Sequence, residues 1–118
     1  MNTPNIHVVT IGATNNKVRY TGLIDADGAA VDLTGATVEL IYRINGARET
    51  VEMTVTDAEA GACEYQFSSD EHDEFIAGDW PMNVKVTHAD TSVDYFPSKE
   101  KGSLDRELYD ILRIRNPV

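Results

Sequence analysis

Three histidines are the residues best suited to hold a metal ion, because imidazole is a common ligand of zinc and other transition metals. His7, His72 and His88 fall in three separate parts of the sequence. No two of them have the spacing of a recognised ligand motif. We therefore expect the histidines to lie at strand ends and predict no metal site.

Two acidic segments could also carry chemistry. DADGAAVD (25–32) has acids at 25, 27 and 32 beside Gly28, as in a calcium-binding loop, but alanines stand where further oxygen ligands are needed. SDEHDE (69–74) places carboxylates around His72, an arrangement suited to acid–base catalysis. A run of ionisable residues is usually a solvated face. We expect a solvated turn at the first segment and no catalysis at the second.

Three further side chains deserve a functional hypothesis and a structural one. Cys63 lies on the apolar side of an alternating segment, which favours a buried structural thiol over a nucleophile. Trp80 and Tyr95 could anchor a partner, since aromatic residues contribute much of the energy of interfaces. Trp80 keeps the alternation of its segment, so core packing is the favoured interpretation. The sequence predicts no catalytic, cofactor-binding or metal-binding residue.

Composition limits the class of protein. The chain has 118 residues, which is the size of one domain, residues 1–118. Its 10 basic and 20 acidic residues give a net charge of -10, which opposes nucleic-acid binding. It lacks an apolar run long enough for a membrane span, so no membrane partner is expected. One cysteine and an amino terminus without signal-peptide features predict synthesis in a cytoplasm.

Alternation of apolar and polar residues dominates the chain and predicts strands with one buried face. Asn45-Gly46 is typical of a tight hairpin turn. We predict that strands 37–44, 48–56 and 62–68 form a meander, and that Pro81 marks an edge strand or a strand start. The connection 25–35 should cross between two sheets. The remaining predicted strands are 7–11, 17–24, 80–88, 93–96 and 110–115, with helical turns at 68–75 and 104–109.

This pattern predicts an all-β fold, an antiparallel β-sandwich of about seven to eight strands with a short helical turn. Trp80, Val84, Tyr65, Leu40 and Val51 alternate in phase with their strands. We expect these five residues to share one core.

The order of several motifs resembles a known family. DLTGATVELIYR (32–43), VTDAEAGACEYQFSSDE (55–71) and AGDWPMNVKVTHADTSVDYFPS (77–98) are similar to the immunoglobulin-like domain at the amino terminus of phage baseplate upper proteins and to related small phage tail proteins. The shared features are a "DLTGA-V" strand entry, a "D-x-x-x-G-x-x-x-Y-x-F" strand, a "G-x-W/Y" strand start and a terminal "FPS". Family members commonly have glycine in the turn where Asp90-Thr91 stands.

The resemblance implies an immunoglobulin-like β-sandwich in a virion, made in the bacterial host cytoplasm. We therefore expect a non-enzymatic structural protein of a tailed phage, docked on a symmetric tail, baseplate or neck assembly of other virion proteins. Exposed edges, loops and termini would supply its contacts. The alternative is a module that binds the host surface, such as a carbohydrate-binding sandwich of a tail fibre, or a head decoration protein. A small enzyme ranks third.

Overall fold

The computed structural model describes residues 5–25, 27–68, 74–97 and 109–117. Nine strands account for most of these residues, and no α-helix occurs in the described ranges. Nor do those ranges contain a helix of the length and apolarity that crossing a membrane requires. The strands are β1 (Ile6–Thr10), β2 (Lys17–Tyr20), β3 (Thr37–Ile44), β4 (Ala47–Glu52), β5 (Thr54–Asp57), β6 (Ala62–Gln66), β7 (Gly78–Thr87), β8 (Val93–Phe96) and β9 (Asp110–Arg115).

The strands form two sheets. The large sheet has the order β1-β9-β7-β3-β4, and β8 also pairs with β7. Because β3 occupies one edge of β7, β8 and β9 share the other edge, one after the other along the strand. The small sheet has the order β2-β6-β5. All pairs are antiparallel except β1 with β9, so the prediction of a fully antiparallel fold was wrong at this one pair.

The all-β fold class is confirmed, but the predicted meander is wrong. β4 pairs with β3 in the large sheet, whereas β5 pairs with β6 in the small one. Met53 separates β4 from β5; its side chain is buried and its N–H donates to the carbonyl of Val38 at 2.8 Å. The predicted arm 48–56 therefore changes sheets in its middle, which raises the strand count from eight to nine.

Several local predictions are confirmed. Asn45 and Gly46 both have positive φ and join β3 to β4 in a tight turn. The turn at 88–92 joins β7 to β8, and β9 spans the predicted residues. The connection 25–35 does lead from the small sheet to the large one. Residues 104–108 of one predicted helical turn (104–109) and residues 69–73 of the other (68–75) lie outside the described residues.

Pro81 is not on an edge strand, contrary to the prediction. It is the fourth residue of β7, which has neighbours on both sides. The last pair between β3 and β7 is Tyr42 with Met82, so Pro81 lies one residue beyond that ladder. Proline is tolerated there because its missing N–H interrupts no pair with β3.

One hydrophobic core lies between the sheets. Leu40 and Val84 are fully buried in it, and Val51, Tyr65 and Trp80 pack against it while partly buried. The predicted shared core is therefore confirmed. Phe67 is surrounded by three other rings with edge-to-face or near edge-to-face geometry, which are Tyr42, Tyr65 and Phe75.

Candidate interaction surface

Of the three histidines considered as metal ligands, the two described ones, His7 and His88, lie in different parts of the fold. His7 lies on β1 and His88 lies at the end of the β7–β8 hairpin, where its Nε2 is 2.8 Å from Oδ2 of Asp94. His72 is outside the described residues. In the described ranges, no cluster of three or more histidine, cysteine or acidic residues has a metal-binding arrangement.

Two carboxylates of the segment 25–32, those of Asp25 and Asp32, bond to the backbone of their own turns. Oδ1 of Asp25 accepts the N–H groups of Asp27 and Ala29 at 2.9 and 3.0 Å. Oδ1 of Asp32 accepts the hydroxyl and the N–H of Thr34, and these bonds lower the pKa of Asp32. The hydrogen bonds of Asp25 and Asp32 therefore give both residues a role in forming their turns. Of SDEHDE (69–74), only Glu74 is described, and it is exposed.

Cys63 is a buried structural thiol, as the alternation predicted. Its side chain is fully buried in the core on β6. Burial raises its pKa to about 11, so the thiol is protonated at neutral pH and is a poor nucleophile.

A buried polar cluster was not anticipated from the sequence. Asp110 is only 2% exposed, and its Oδ2 accepts the hydroxyl of Tyr20 at 2.6 Å. Its Oδ1 accepts the N–H of Asn5 at 3.0 Å. Burial, followed by the nearby Asp110 carboxyl, raises the pKa of Tyr20 far above its usual range. The hydroxyl is therefore a permanent donor that joins β2 of the small sheet to β9 of the large sheet.

His7 completes this cluster. Its ring lies 4.8 Å from the ring of Tyr20, measured between centroids. Burial lowers the pKa of the imidazole, and the nearby Asp110 carboxyl opposes that shift. Nε2 of His7 is buried without a hydrogen-bond partner among the described residues. The cluster is thus a polar contact between the two sheets. Its hydrogen bonds from Tyr20 and Asn5 to Asp110 stabilise the fold.

The alternation of buried and exposed residues along β9 and β2 could have predicted this cluster. Asp110 alternates in phase with the buried Leu112 and Ile114, and Tyr20 alternates with the buried Val18. An acid in phase with two buried aliphatic residues must either bond internally or lie at the end of its strand. The sequence analysis placed Asp110 at the start of the strand 110–115 but did not recognise that its side chain points into the core.

Trp80 is half-buried against the edge of the core, as predicted for a packing role. Its indole Nε1 donates to the carbonyl of Ile76 at 2.8 Å. The ring also folds over Gly78, where an added Cβ would lie 3.2 Å from Cζ2 of the indole. Glycine two residues before the tryptophan is therefore needed for this close approach.

The outer face of the large sheet carries a stripe of exposed apolar side chains. Tyr95 is 52% exposed and Tyr109 is 50% exposed, and both point away from the core. They follow one another along the same edge of β7, because Tyr95 pairs with Lys85 and Asp110 pairs with Met82. We define the outer stripe as the outward apolar side chains on β1, β8 and β9 together with Tyr109. They are Ile6, Val8, Val93, Tyr95, Tyr109 and Ile111.

This stripe is a concentration of apolar surface rather than scattered residues. The described residues include seven exposed large hydrophobic side chains, and five of them lie in the outer stripe. The other two, Ile24 and Ile76, lie elsewhere. Contiguous exposed apolar surface marks interaction sites in soluble proteins, whereas single exposed residues do not.

The same face has an unusual charge. Five of the seven basic residues in the described part of the chain point outward from the large sheet, against three acids, which gives this face a net +2. The whole chain has a net charge of -10. The basic residues are Arg43, Arg48, Lys85, Arg113 and Arg115, and the acids are Glu39, Glu52 and Asp79.

Two of these charges form a defined ion pair. Arg113 donates from Nε and Nη2 to the two carboxylate oxygens of Asp79, at 2.8 and 3.0 Å. Arg43 and Arg48 instead pair across β3 and β4 as like charges. Cross-strand like charges are unfavourable in an isolated sheet, and the same two strands also oppose Glu39 to Glu52, so this part of the face carries like-charge pairs of both signs.

No protein-family model matches the sequence, and no curated protein matches it significantly.

Proposed function

We propose that the chain is a non-enzymatic structural protein of a tailed-phage virion, an immunoglobulin-like sandwich that docks on a symmetric tail, baseplate or neck assembly. The observation that carries the docking role is the outer stripe, whose apolar side chains lie on the outward face of the large sheet. A structural module needs one specific surface for its neighbours and a stable core behind it. Both are present in this fold.

Two glycines in the motifs that resemble the phage family have clear structural roles, and these roles support the proposal. Gly61, the glycine of the "D-x-x-x-G-x-x-x-Y-x-F" motif, has a φ of +74°. A Cβ there would lie 2.8 Å from the carbonyl oxygen of Val31, so only glycine fits. Gly78 of the "G-x-W" motif receives the Trp80 ring. The motif residues thus specify turns and packing that a sandwich of this kind requires.

The engagement of the titratable side chains supports a non-enzymatic role. Tyr20 and Asp110 bond to one another in the interior, between the two sheets. Asp25 and Asp32 hold their own turns, and Asp79 is paired with Arg113. Such groups stabilise the fold and are not directed toward a substrate.

The test is the presence and placement of the protein in particles. Virions purified from a culture that carries the gene should contain the chain at a fixed copy number by quantitative mass spectrometry. Hydroxyl-radical footprinting should oxidise Tyr95 and Tyr109 in the free protein and protect both in the particle. Absence from virions would contradict the phage proposal. Equal oxidation of both tyrosines in the two states would contradict docking through the outer stripe.

Matched variants sharpen this test. Tyr95→Ser and Tyr109→Ser remove apolar surface from the outer stripe, whereas Ile24→Ser removes it from a residue that is 58% exposed elsewhere. We expect the tyrosine variants to reduce incorporation into particles and the Ile24 variant to assemble normally. Melting temperatures of the isolated proteins control for folding.

One observation favours a second candidate, binding of a host-surface carbohydrate. Tyr95 and Tyr109 are adjacent on the outward face of the large sheet, about 7 Å apart along the strand direction by strand geometry. Two exposed rings at this spacing present a platform on which sugar rings can stack. Tight binding of the free protein to host glycans, lost in Tyr95→Ser, would favour this function over docking.

A further inference from the structure

The edge strands of the two sheets differ in how they are protected. Within the described residues, five strands have a neighbour on only one side: β1, β2, β4, β5 and β8. Charged side chains on an edge strand oppose unwanted pairing with other chains. Four of these edge strands carry charged side chains. They are Lys17 and Arg19 on β2, Arg48, Glu49 and Glu52 on β4, Asp57 on β5, and Asp94 on β8. β1, with the sequence IHVVT, has no Asp, Glu, Lys, Arg or Pro, and its one titratable residue, His7, packs against Tyr20.

The hydrogen bonds to β9 define which groups of β1 face outward from the sheet edge. The carbonyl of Asn5 accepts from Ile111, and the N–H of Ile11 donates to Arg115, both at 2.9 Å. In a parallel ladder this pattern directs the odd-numbered residues of β1 toward β9. The N–H and C=O groups of Ile6, Val8 and Thr10 therefore point to the open edge.

Asn16 already covers one of these three positions. Its Oδ1 accepts the N–H of Thr10 at 3.1 Å, and its Nδ2 donates to the carbonyl of Thr10 at 2.7 Å. The amide thus acts as a strand partner for Thr10, and Asn16 is buried as a result. Among the described residues, the four backbone groups of Ile6 and Val8 on this edge have no partner.

We propose that β1 pairs in antiparallel fashion with β1 of a second copy of this chain, about a two-fold axis at His7. In this register Ile6 lies opposite Val8 of the second copy, and the reciprocal pair forms on the other side of the axis. Hydrogen-bonded pairs of this kind exchange two bonds each, so all four available groups on each copy are satisfied. An axis at Val8 would instead place Ile6 opposite Thr10, whose N–H and C=O are already bonded to the side chain of Asn16.

The side chains agree with a second copy as the occupant. Ile6 and Val8 are each 47% exposed on the outer face, and the pairing places them side by side. Cross-strand pairs of β-branched apolar residues stabilise a sheet, and an uncharged strand meets no repulsion from its own copy. A two-fold contact uses the same surface on both partners, as most homodimers do. The large sheet then continues across the dimer.

The contact is small, so the dimer is weak and depends on concentration. Two short strands bury far less than the roughly 1,600 Å² of a standard interface. Each copy also carries a net charge of -10, which repels the other copy over about a Debye length of roughly 10 Å at 0.1 M salt. Added salt should therefore strengthen this association, opposite to the response of a dimer held by ion pairs.

Sedimentation equilibrium of the full chain tests the proposal. The wild-type protein should pass from monomer toward dimer between about 10 µM and 1 mM, and the dimer fraction should rise when salt increases from about 0.1 to 0.5 M. Val8→Lys adds a charge to the open edge and should abolish the dimer. Thr50→Lys is the matched control, because Thr50 is an exposed β-branched residue on β4, another edge of the same sheet.

Val8→Pro tests the backbone contribution to the dimer separately from the side-chain contribution. Proline removes the one N–H of residue 8, which points to the open edge, and leaves the bonds to β9 in place. This variant should also be monomeric, with its melting temperature confirming that it is folded. A wild-type protein that stays monomeric throughout the range would overturn the proposal. So would a dimer that Val8→Lys leaves intact, or one that Val8→Lys and Thr50→Lys weaken equally. None of these outcomes depends on a phage origin.

Discussion

The hydrogen bond between Tyr20 and Asp110 joins the two sheets, and its loss should be readily measurable. The hydroxyl lies 2.6 Å from Oδ2 of a carboxyl group that is 2% exposed. Tyr20→Phe keeps the ring and removes only the hydroxyl. Hydrogen bonds to charged groups contribute about 1.5–3 kcal/mol, and a buried acceptor that loses its donor has no water to replace it. We expect the free energy of unfolding to fall by about 2 kcal/mol.

Urea unfolding followed by Trp80 fluorescence measures this loss, because Trp80 is the only tryptophan and is half-buried. A loss of about 2 kcal/mol lowers the melting temperature of a domain of this size by roughly 6–10 °C. Tyr95→Phe is the control, since it removes an exposed hydroxyl and should change stability by less than about 0.5 kcal/mol. If Tyr20→Phe is equally harmless, the bond does not stabilise the fold.

A double-mutant cycle assigns the effect to the pair. Asp110→Asn keeps the shape of the side chain, and combining it with Tyr20→Phe tests whether the two losses are independent. We expect a coupling energy of about 1–2 kcal/mol, because Tyr20→Phe removes the donor of this bond and Asp110→Asn replaces its carboxyl acceptor with an amide. Strictly additive losses would mean that the hydroxyl acts through packing rather than through Asp110.

The remaining predictions concern pH, turn strain and metal ions. Burial lowers the pKa of His7, so the unfolded chain gains a proton before the folded one as pH falls through about 6.5. Wild-type stability should therefore decrease relative to His7→Gln between pH 7 and 5.5 in urea titrations, and parallel curves would contradict the lowered pKa. Thr91 has a φ of +72°, which is strained for a β-branched residue. Thr91→Gly should raise the unfolding free energy by about 0.5–1 kcal/mol, and a loss of stability would show that its side chain contributes more than the strain costs. Chelator should leave the melting temperature unchanged, and a shift of several degrees on adding zinc or calcium would reveal a metal site.

Local elements were predictable because alternation and turn chemistry act over a few residues. Asn45-Gly46 marked its hairpin, and the alternation in 37–44 and 110–115 marked two strands with their observed bounds. Ile41 was the one break in its strand. It is buried outside the core cluster, on the outer face between β4 and β7, where it pairs with Thr50 and Asn83.

Pairing and the polar cluster were not predictable in this way. Val51, Met53 and Val55 all point inward, so alternation does not reveal that the chain changes sheets at Met53. The parallel pairing of β1 with β9 joins the two ends of the sequence, which no local pattern records. Asp110 required recognition that an acid stood in phase with two buried aliphatic residues. The outer stripe depends on β8 and β9 sharing one edge of β7, which only the sheet order defines.

The most direct test of the docking proposal is footprinting of the outer stripe in free protein and in purified virions. Tyr95 and Tyr109 should be oxidised readily when the chain is free and should be protected at least several-fold in the particle. The buried Tyr20 should react slowly in both states and serves as the internal reference. The account predicts protection confined to the face of the large sheet. A chain that is absent from virions, or whose two exposed tyrosines react equally in both states, would contradict it.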